Sequence, residues 1–423
     1  MSSNLWKIKP MRTPIPAQSK TEPNLSRRSF LMAGIGCAAL AVIDRACGGT
    51  PASAPPPTLL NGHEGRVCSL AFSPNGHVLA SGSEDTTAIL WDLKRKTASH
   101  ILRGHRQRIL RVVFSADGNS LLTHAFNDGA RVWDVLTGAL KLSLPDNYHN
   151  GSVIRFAHDG RLVVQGGQQL EVRASGQVLI ATLNFWDVQT GKLRRSVTVG
   201  ENLSIDTLSI SPDGRMFALG NILLDSMTGK WLRIMKPSPR STVFSPNGKW
   251  LAGAVDSPSN SAPASLLLEP LGHLSPATET LAGEVCVWSP EIAEPKSRLK
   301  GHVGTVYGLD FSPDSSTLIT RSLLQRTLPG SDLGQQLTDV RVWDLHTGKL
   351  RWALDRDPCG AFAAPAFSPD CRTVALGKLY EVQTGRQRTA LEPGVPAAFS
   401  PNGKIVASAR NPANAISFWP LDN

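Results

Sequence analysis

The sequence predicts an all-β protein assembled from eight copies of one small unit, on three observations. A five-residue turn recurs eight times, a tryptophan follows most copies at a matching place, and turn formers are abundant. The 423 residues include 37 glycines and 30 prolines, and only 18% are Asp, Glu, Lys or Arg. That suits many short strands joined by tight turns. Length alone suggests two or three domains, at roughly 100–200 residues each, but a repeat architecture overrides that prior. Hydrophobic residues make up 41% of the chain, enough for a large core.

The turn reads Phe72-Ser73-Pro74-Asn75-Gly76 in its first copy. Later copies begin at Phe114, Phe156, Ile210, Phe244, Phe311, Phe367 and Phe399. Each lies between two apolar stretches, such as Val78-Leu79-Ala80 after the first. This is strand, tight turn, strand: proline begins the turn, and Asn/Asp-Gly tolerates positive φ at its end. A third strand ends in Trp91-Asp92, Trp133-Asp134, Trp186-Asp187 or Trp343-Asp344, with altered copies at Trp288-Ser289 and Trp419-Pro420. Units four and seven carry Leu224-Asp225 and Tyr380-Glu381 instead. A Thr-Gly turn often follows, and a fourth strand then leads to Gly62-His63, Gly104-His105 or Gly301-His302.

Together these marks resemble the WD-repeat family across residues 59–423. The resemblance implies a β-propeller of eight four-stranded blades around a channel. The count becomes seven if one of the short units, four or seven, fails to form a full sheet. The body opens at Leu59-Leu60, a fourth strand, and ends at Ile416–Trp419, a third. The first strand is therefore expected to complete the last blade and remove the exposed edges. The chain divides into residues 1–47, an export signal or membrane anchor, a Pro/Ala/Ser linker over 48–57, and the propeller over 58–423.

The resemblance also implies a hydrogen-bonded set within a blade: the Gly-His histidine, a Ser or Thr on the second strand, an Asp in the next turn, and the Trp. The matching residues are His63, Ser81, Asp85 and Trp91, then His105, Thr123, Asp128 and Trp133. Repeat six offers His302, Thr320 and Trp343, and the altered spacing of Asp339 leaves its membership open. A set that recurs blade by blade satisfies buried polar atoms and fixes packing. A Ser-His-Asp nucleophile needs one exposed site with an oxyanion hole. Phosphate-loop, HExxH, calcium-loop and GxSxG motifs are absent, so no catalytic residue, cofactor or metal is expected.

One segment points elsewhere. Asp344-Leu345-His346-Thr347-Gly348-Lys349-Leu350-Arg351-Trp352 resembles the Asp-x-x-Thr-Gly-Lys-x-x-Trp blade motif of eight-bladed pyrroloquinoline-quinone dehydrogenases. That resemblance implies an enzyme as the alternative. A single unit carries it, and no adjacent cysteine pair accompanies it, so a scaffold binding a protein or peptide partner is the favoured expectation.

The net charge of +10 does not mark a nucleic-acid binder. Residues 1–60 hold seven Lys/Arg against two Asp/Glu, so half the excess sits in the leader. The rest is a mild bias without a clustered basic stripe. The four body cysteines lack CxxC spacing and read as buried thiols in strands and turns. Expanded second-to-third-strand connections stand at about 165–183, 256–283 and 321–338. All three belong on the side of the Gly-His loops, the expected partner-binding face.

In the leader, Arg27 and Arg28 precede Phe30, Leu31 and a short apolar run to Ile43, resembling a twin-arginine export signal. The run is shorter than the ~20 residues of an ordinary spanning helix. Cys47-Gly48-Gly49 looks like a lipoprotein start, but Asp44 and Arg45 do not fit a lipobox; Ala52-Ser53-Ala54 offers a cleavage match before the unfavourable Pro55. The expected location is the periplasm or cell envelope, with membrane contact only through this segment. Replacing Arg27 and Arg28 together by Lys should leave the precursor in the cytoplasm on cell fractionation; undiminished export of the double variant would contradict the reading.

Overall fold

The computed structural model describes residues 58–421 apart from 147–151, 158–159, 174–175, 202, 204, 206, 256–282, 303, 328–333, 358–363, 389–395 and 411–413. The leader, the linker, the repeat-five expansion and Cys359 lie outside the described residues. The described residues form an all-β ring of eight antiparallel sheets, without helices. Seven sheets have four strands. The seventh blade has three, Ala366–Phe367, Thr373–Ala375 and Leu379–Glu381. Gln387 makes an isolated bridge to Tyr380 where other blades carry a fourth strand. Both short units therefore form blades: Leu224 and Tyr380 are buried where other blades have Trp.

The first strand of each sheet lies at the inner wall. These strands are Val67–Phe72, Ile109–Phe114, Ser152–Phe156, Ser209–Ile210, Ser241–Phe244, Thr305–Phe311, Ala366–Phe367 and Ala397–Phe399. Neighbouring first strands are tied directly in places: the Val112 amide donates to Ser69 Oγ at 3.1 Å, and the Phe244 amide to Ser209 Oγ at 2.9 Å.

The core is not one mass but eight clusters, each shared by two consecutive blades. Leu90 and Leu102 of blade 1 pack on Ile109 and Leu121 of blade 2. Val164 and Leu183 of blade 3 pack on Phe217 and Leu224 of blade 4. The series ends with Ala407 and Ile416 of blade 8 against Leu79 and Trp91 of blade 1. A sheet with two apolar faces must be covered on both, and here each neighbour covers one.

The recurring turn has a chemical reason. Ser73 Oγ donates to Asn75 Oδ1 at 2.7 Å and accepts from the Val78 amide at 2.9 Å, while the Gly76 amide donates to the Ser73 carbonyl. The same Ser-Asp/Asn link recurs at Ser115, Ser211, Ser245, Ser312, Ser368 and Ser400. The fifth residue adopts φ near +70°, natural for glycine but held by Ser315 and Cys371 in repeats six and seven. The glycine also serves packing. A Cβ on Gly118 would stand 3.3 Å from Pro74 of the preceding blade, and one on Gly76 would stand 3.4 Å from Pro401 of blade 8. The turns thus touch from blade to blade, across the chain ends included.

Closure is a three-pair ladder, Thr58↔Phe418, Leu59↔Ser417 and Leu60↔Ile416. Leu60 is buried, the Asn414 side-chain amide donates to the Glu64 carbonyl at 2.9 Å, and Phe72 meets Phe418 edge to face. Deleting residues 58–62 should bare the edge of Ala415–Pro420 and lower the melting temperature or provoke self-association. A monomeric deletion variant with an unaltered melt would contradict closure in this register.

Candidate functional site

Three blades hold a complete polar set of Trp, Ser or Thr, His and Asp. In blade 1 the Trp91 indole donates to Ser81 Oγ at 2.8 Å. The Ser81 hydroxyl lies 2.7 Å from His63 Nε2, and His63 Nδ1 lies 2.8 Å from Asp85 Oδ2. The Asp85 carboxylate can only accept, so Nδ1 of the neutral imidazole carries the proton donated to it, and Nε2 accepts from the Ser81 hydroxyl. Asp85 also receives the Glu64 amide and the Thr87 amide and hydroxyl. Blade 2 brings together Trp133, Thr123, His105 and Asp128 at 2.9, 2.8 and 2.8 Å, and there Arg131 Nη1 reaches both His105 Nδ1 and the Asp128 carboxylate. Removing one such hydroxyl would strand two buried nitrogens, at roughly 1–3 kcal/mol.

The paired shifts identify a neutral imidazole against a carboxylate. Burial lowers the His63 pKa below its ordinary value and outweighs the pull of Asp85. Burial also lowers that of His105, and Arg131 adds to it, against the opposing effect of Asp128. Burial alone would raise Asp85, but the Thr87 and His63 hydrogen bonds win and hold it at about 2. Asp128 is held at about 2 in the same way, by the Arg106 amide, Arg131 and His105. These contacts are therefore hydrogen bonds to carboxylates, not ion pairs.

Blade 6 builds the set differently. His302 Nδ1 lies 2.9 Å from Asp339 Oδ2, His302 Nε2 lies 2.5 Å from Thr320 Oγ1, and the Trp343 indole donates to Thr320 at 2.8 Å. Asp339 stands on the third strand, opposite Ser322, because the turn that supplies Asp85 and Asp128 is replaced here by an extended hairpin. Arg341 Nε donates to Asp339 at 3.1 Å, as Arg131 does to Asp128 at 2.8 Å; sequence reasoning missed both arginines. They sit opposite the set's threonine in register, which is the signal that finds them. Elsewhere the set lapses: the Trp288 indole uses the Lys236 carbonyl, and the Trp186 and Trp419 indoles find no acceptor among the described residues.

The Ser81-His63-Asp85 distances imitate a hydrolase triad, but Ser81 is fully buried and its oxygen already accepts the indole proton. The same arrangement recurs in two more blades. Among the described residues no cluster of His, Cys, Asp and Glu is arranged to hold a metal. Burial pushes the Cys286 thiol up to about 11 and raises those of Cys68 and Cys371, so these thiols stay protonated. Cys286 is buried, whereas Cys68 and Cys371 are half-buried, less enclosed than the sequence suggests, because they lie on an inner-wall strand and in a turn. The segment Asp344–Trp352 is a hairpin turn. Asp344 accepts the His346 and Thr347 amides and pairs with Arg351, while the Trp352 indole donates to the Val382 carbonyl of the next blade.

Two of the three expansions are strands, not loops. In blade 3, Leu162–Arg173 and Gly176–Asp187 stay paired from Leu162↔Asp187 out to Arg173↔Gly176. In blade 6, Thr317–Thr327 and Gly334–Asp344 pair out to Thr327↔Gly334. The alternation of Leu170 and Val172 with polar neighbours is the period-2 signal of such an arm. Val172 is 74% exposed, and Arg173 bridges to Glu201 on the blade's fourth strand at 2.7 Å. Both arms project beyond the second strands, on the side of the Gly-His connections.

An eight-bladed propeller with these recurring sets defines a class, and the comparisons agree: the WD domain, G-beta repeat, is matched at residues 55–92 and 293–332. Three relatives extend this likeness. The chain is 29% identical to nuclear distribution protein PAC1 of Coccidioides posadasii over 310 residues, 70% of this chain and 64% of that protein. It is 38% identical to small ribosomal subunit protein RACK1 of Caenorhabditis elegans over 209 residues, 47% of this chain and 60% of that one. A 38-residue stretch is 58% identical to the periodic tryptophan protein 2 homolog of Neurospora crassa, 9% of this chain and 4% of that protein. The chain spans less than two thirds of the length of each of these relatives.

The buried sets set the response to acid. The folded pKa values of His63 and His105 lie below the unfolded value of about 6.5, so their contribution is complete above it and is lost as pH falls. Asp85 and Asp128, at about 2, add a second loss below the unfolded carboxylate range. The melting temperature should fall steadily as pH drops from neutral toward about 3; a rise over that interval would contradict neutral buried imidazoles.

Proposed function

We propose that this chain is an exported, non-catalytic scaffold that binds a protein or peptide partner on the face bearing the Gly-His connections. The observation that carries the reading is the placement of the arms of blades 3 and 6, both on that face. Two more features support it: the WD repeats themselves, and relatives whose printed names describe nuclear distribution and ribosomal proteins. The blade-3 arm offers what a partner needs. Leu170 and Val172 are exposed on one side of a paired ribbon, flanked by Glu171 and Arg173. An apolar strip with a charged margin is the ordinary anatomy of a protein contact.

Export rests on the Arg27-Arg28 leader, and the working location is the periplasm or cell envelope. Membrane contact is confined to residues 1–47; among the described residues no helix is long and apolar enough to cross a membrane. Affinity capture from an envelope extract identifies the partner. Replacing residues 169–180 and 324–337 with Asn-Gly turns spares Thr320 and Asp339 and should leave the melt intact while capture of that partner is lost. Equal affinity of the trimmed ring would move the site to the opposite face.

A further inference from the structure

The blade-3 arm leaves part of a strand open. The inner strand Ser152–Phe156 pairs with Leu162–Arg173 only as far as Ser152↔Gly167. The other side of Leu162–Arg173 stays laddered to Gly176–Asp187 out to Arg173↔Gly176. Over residues 169–173 one side of the strand is therefore paired, and among the described residues no strand lies along the other. The stretch reads Gln169-Leu170-Glu171-Val172-Arg173, and its register is unbroken. It has no proline, lysine or bulge, which are among the devices that keep exposed edges from pairing with other chains.

The side chains on this edge define the strand it fits. Successive residues point to opposite faces, so Glu171 and Arg173 share one face of the ribbon and Leu170 and Val172 the other. Leu170 and Val172 are exposed. Arg173 holds Glu171 in a fork, with Nε and Nη2 each 3.1 Å from a carboxylate oxygen, and its Nη1 reaches Glu201. Laid antiparallel to itself with Val172 opposite Val172, the stretch sets Glu171 against Arg173 of the second copy, and two-fold symmetry repeats the pair. Moving the centre one residue either way sets Glu171 against Glu171 or Arg173 against Arg173, and like charges directly opposite repel. The charges thus select one register. In it Val172 meets Val172, with each Leu170 diagonally beside the pair. The centre lies next to the arm's last pair, Arg173↔Gly176, so two arms overlap only near their tips. The corresponding stretch of the blade-6 arm, Leu324-Gln325-Arg326-Thr327, carries one charge and has no such complement.

We propose that a second copy of this chain adds its own blade-3 arm to this open edge, as an antiparallel ladder centred on Val172. Backbone hydrogen bonds supply the attraction, and Leu170 and Val172 lose contact with water. The Glu171–Arg173 fork within each copy is exchanged for the same fork between copies. Arg173 keeps Glu201 meanwhile, since a guanidinium has five N–H donors. The contact is smaller than a standard interface, so the dimer is reversible and depends on concentration. The pairing involves no other protein, so it stands apart from the partner capture proposed above.

Sedimentation velocity of the full chain, from about 1 to about 300 μM, should show monomer giving way to dimer. Val172→Lys puts two like charges at the centre and should weaken dimerisation about tenfold or more, with an unchanged melt. Glu171→Arg and Arg173→Glu should each be monomeric alone, because each opposes like charges across the centre. Mixed in equal amounts, the two variants should pair, since every opposed couple then has opposite signs. Residues that merely held their own arm together would give no such recovery. A monomeric Val172→Lys variant supports the pairing whether or not it captures an envelope partner, which keeps the two readings separate. A parent chain that stays monomeric throughout would overturn the proposal, as would a dimer untouched by Val172→Lys or two charge variants that fail to pair when mixed.

Discussion

Each blade buries its two faces only against its neighbours, so the ring holds together only where its last blade meets its first. That meeting is the pairing of Thr58–Leu60 with Ala415–Pro420. Without it, the cluster joining Leu79 and Trp91 to Ala407 and Ile416 would lose its outer cover, and two sheet edges would face water. The approach of Pro401 to Gly76, where a Cβ would stand 3.4 Å away, and the Asn414–Glu64 hydrogen bond cross the same seam on opposite faces. Closure is therefore secured at three levels: ladder, core and turns.

The same economy explains why blades differ so much in sequence and so little in shape. The turn is specified by a Ser hydroxyl bonded to Asp or Asn and by a residue at positive φ, and these survive in nearly every repeat. The His-Ser/Thr-Asp-Trp set is needed less often. Three blades keep it, while blade 4 fills the Trp position with the buried, purely apolar Leu224. Polar networks specify geometry, whereas apolar substitutes of similar bulk are tolerated where nothing buried is left unpaired.

How much was legible in the sequence follows from this physics. The turns and the closing strand were readable because each rests on local residue types at fixed spacing. Eight blades were expected from eight turns, with seven as the fallback; whether the short units seal a sheet was a packing outcome, and the buried Leu224 and Tyr380 give eight. Asp339 was ambiguous for a related reason: its spacing in sequence changed so that its carboxylate reached the same place from a strand. The arms look like loops in the sequence because the strand alternation that marks them is confined to a few residues, Leu170 and Val172 in blade 3.

A rigid ring of this kind separates support from recognition. The buried sets and turns hold the blades, while arms, connections and channel wall are left to vary, consistent with a scaffold whose specificity lies in loops on a fixed frame. The frame itself is the central claim, and native-state hydrogen exchange of the full chain tests it most directly. Peptides covering residues 58–60 and 415–420 should be protected to the same degree as the inner strands of blades 1 and 2, opening only with the whole ring. Rapid exchange there, while the other blades stay protected, would mean that the chain ends fray independently and that the ring is not closed by its first strand.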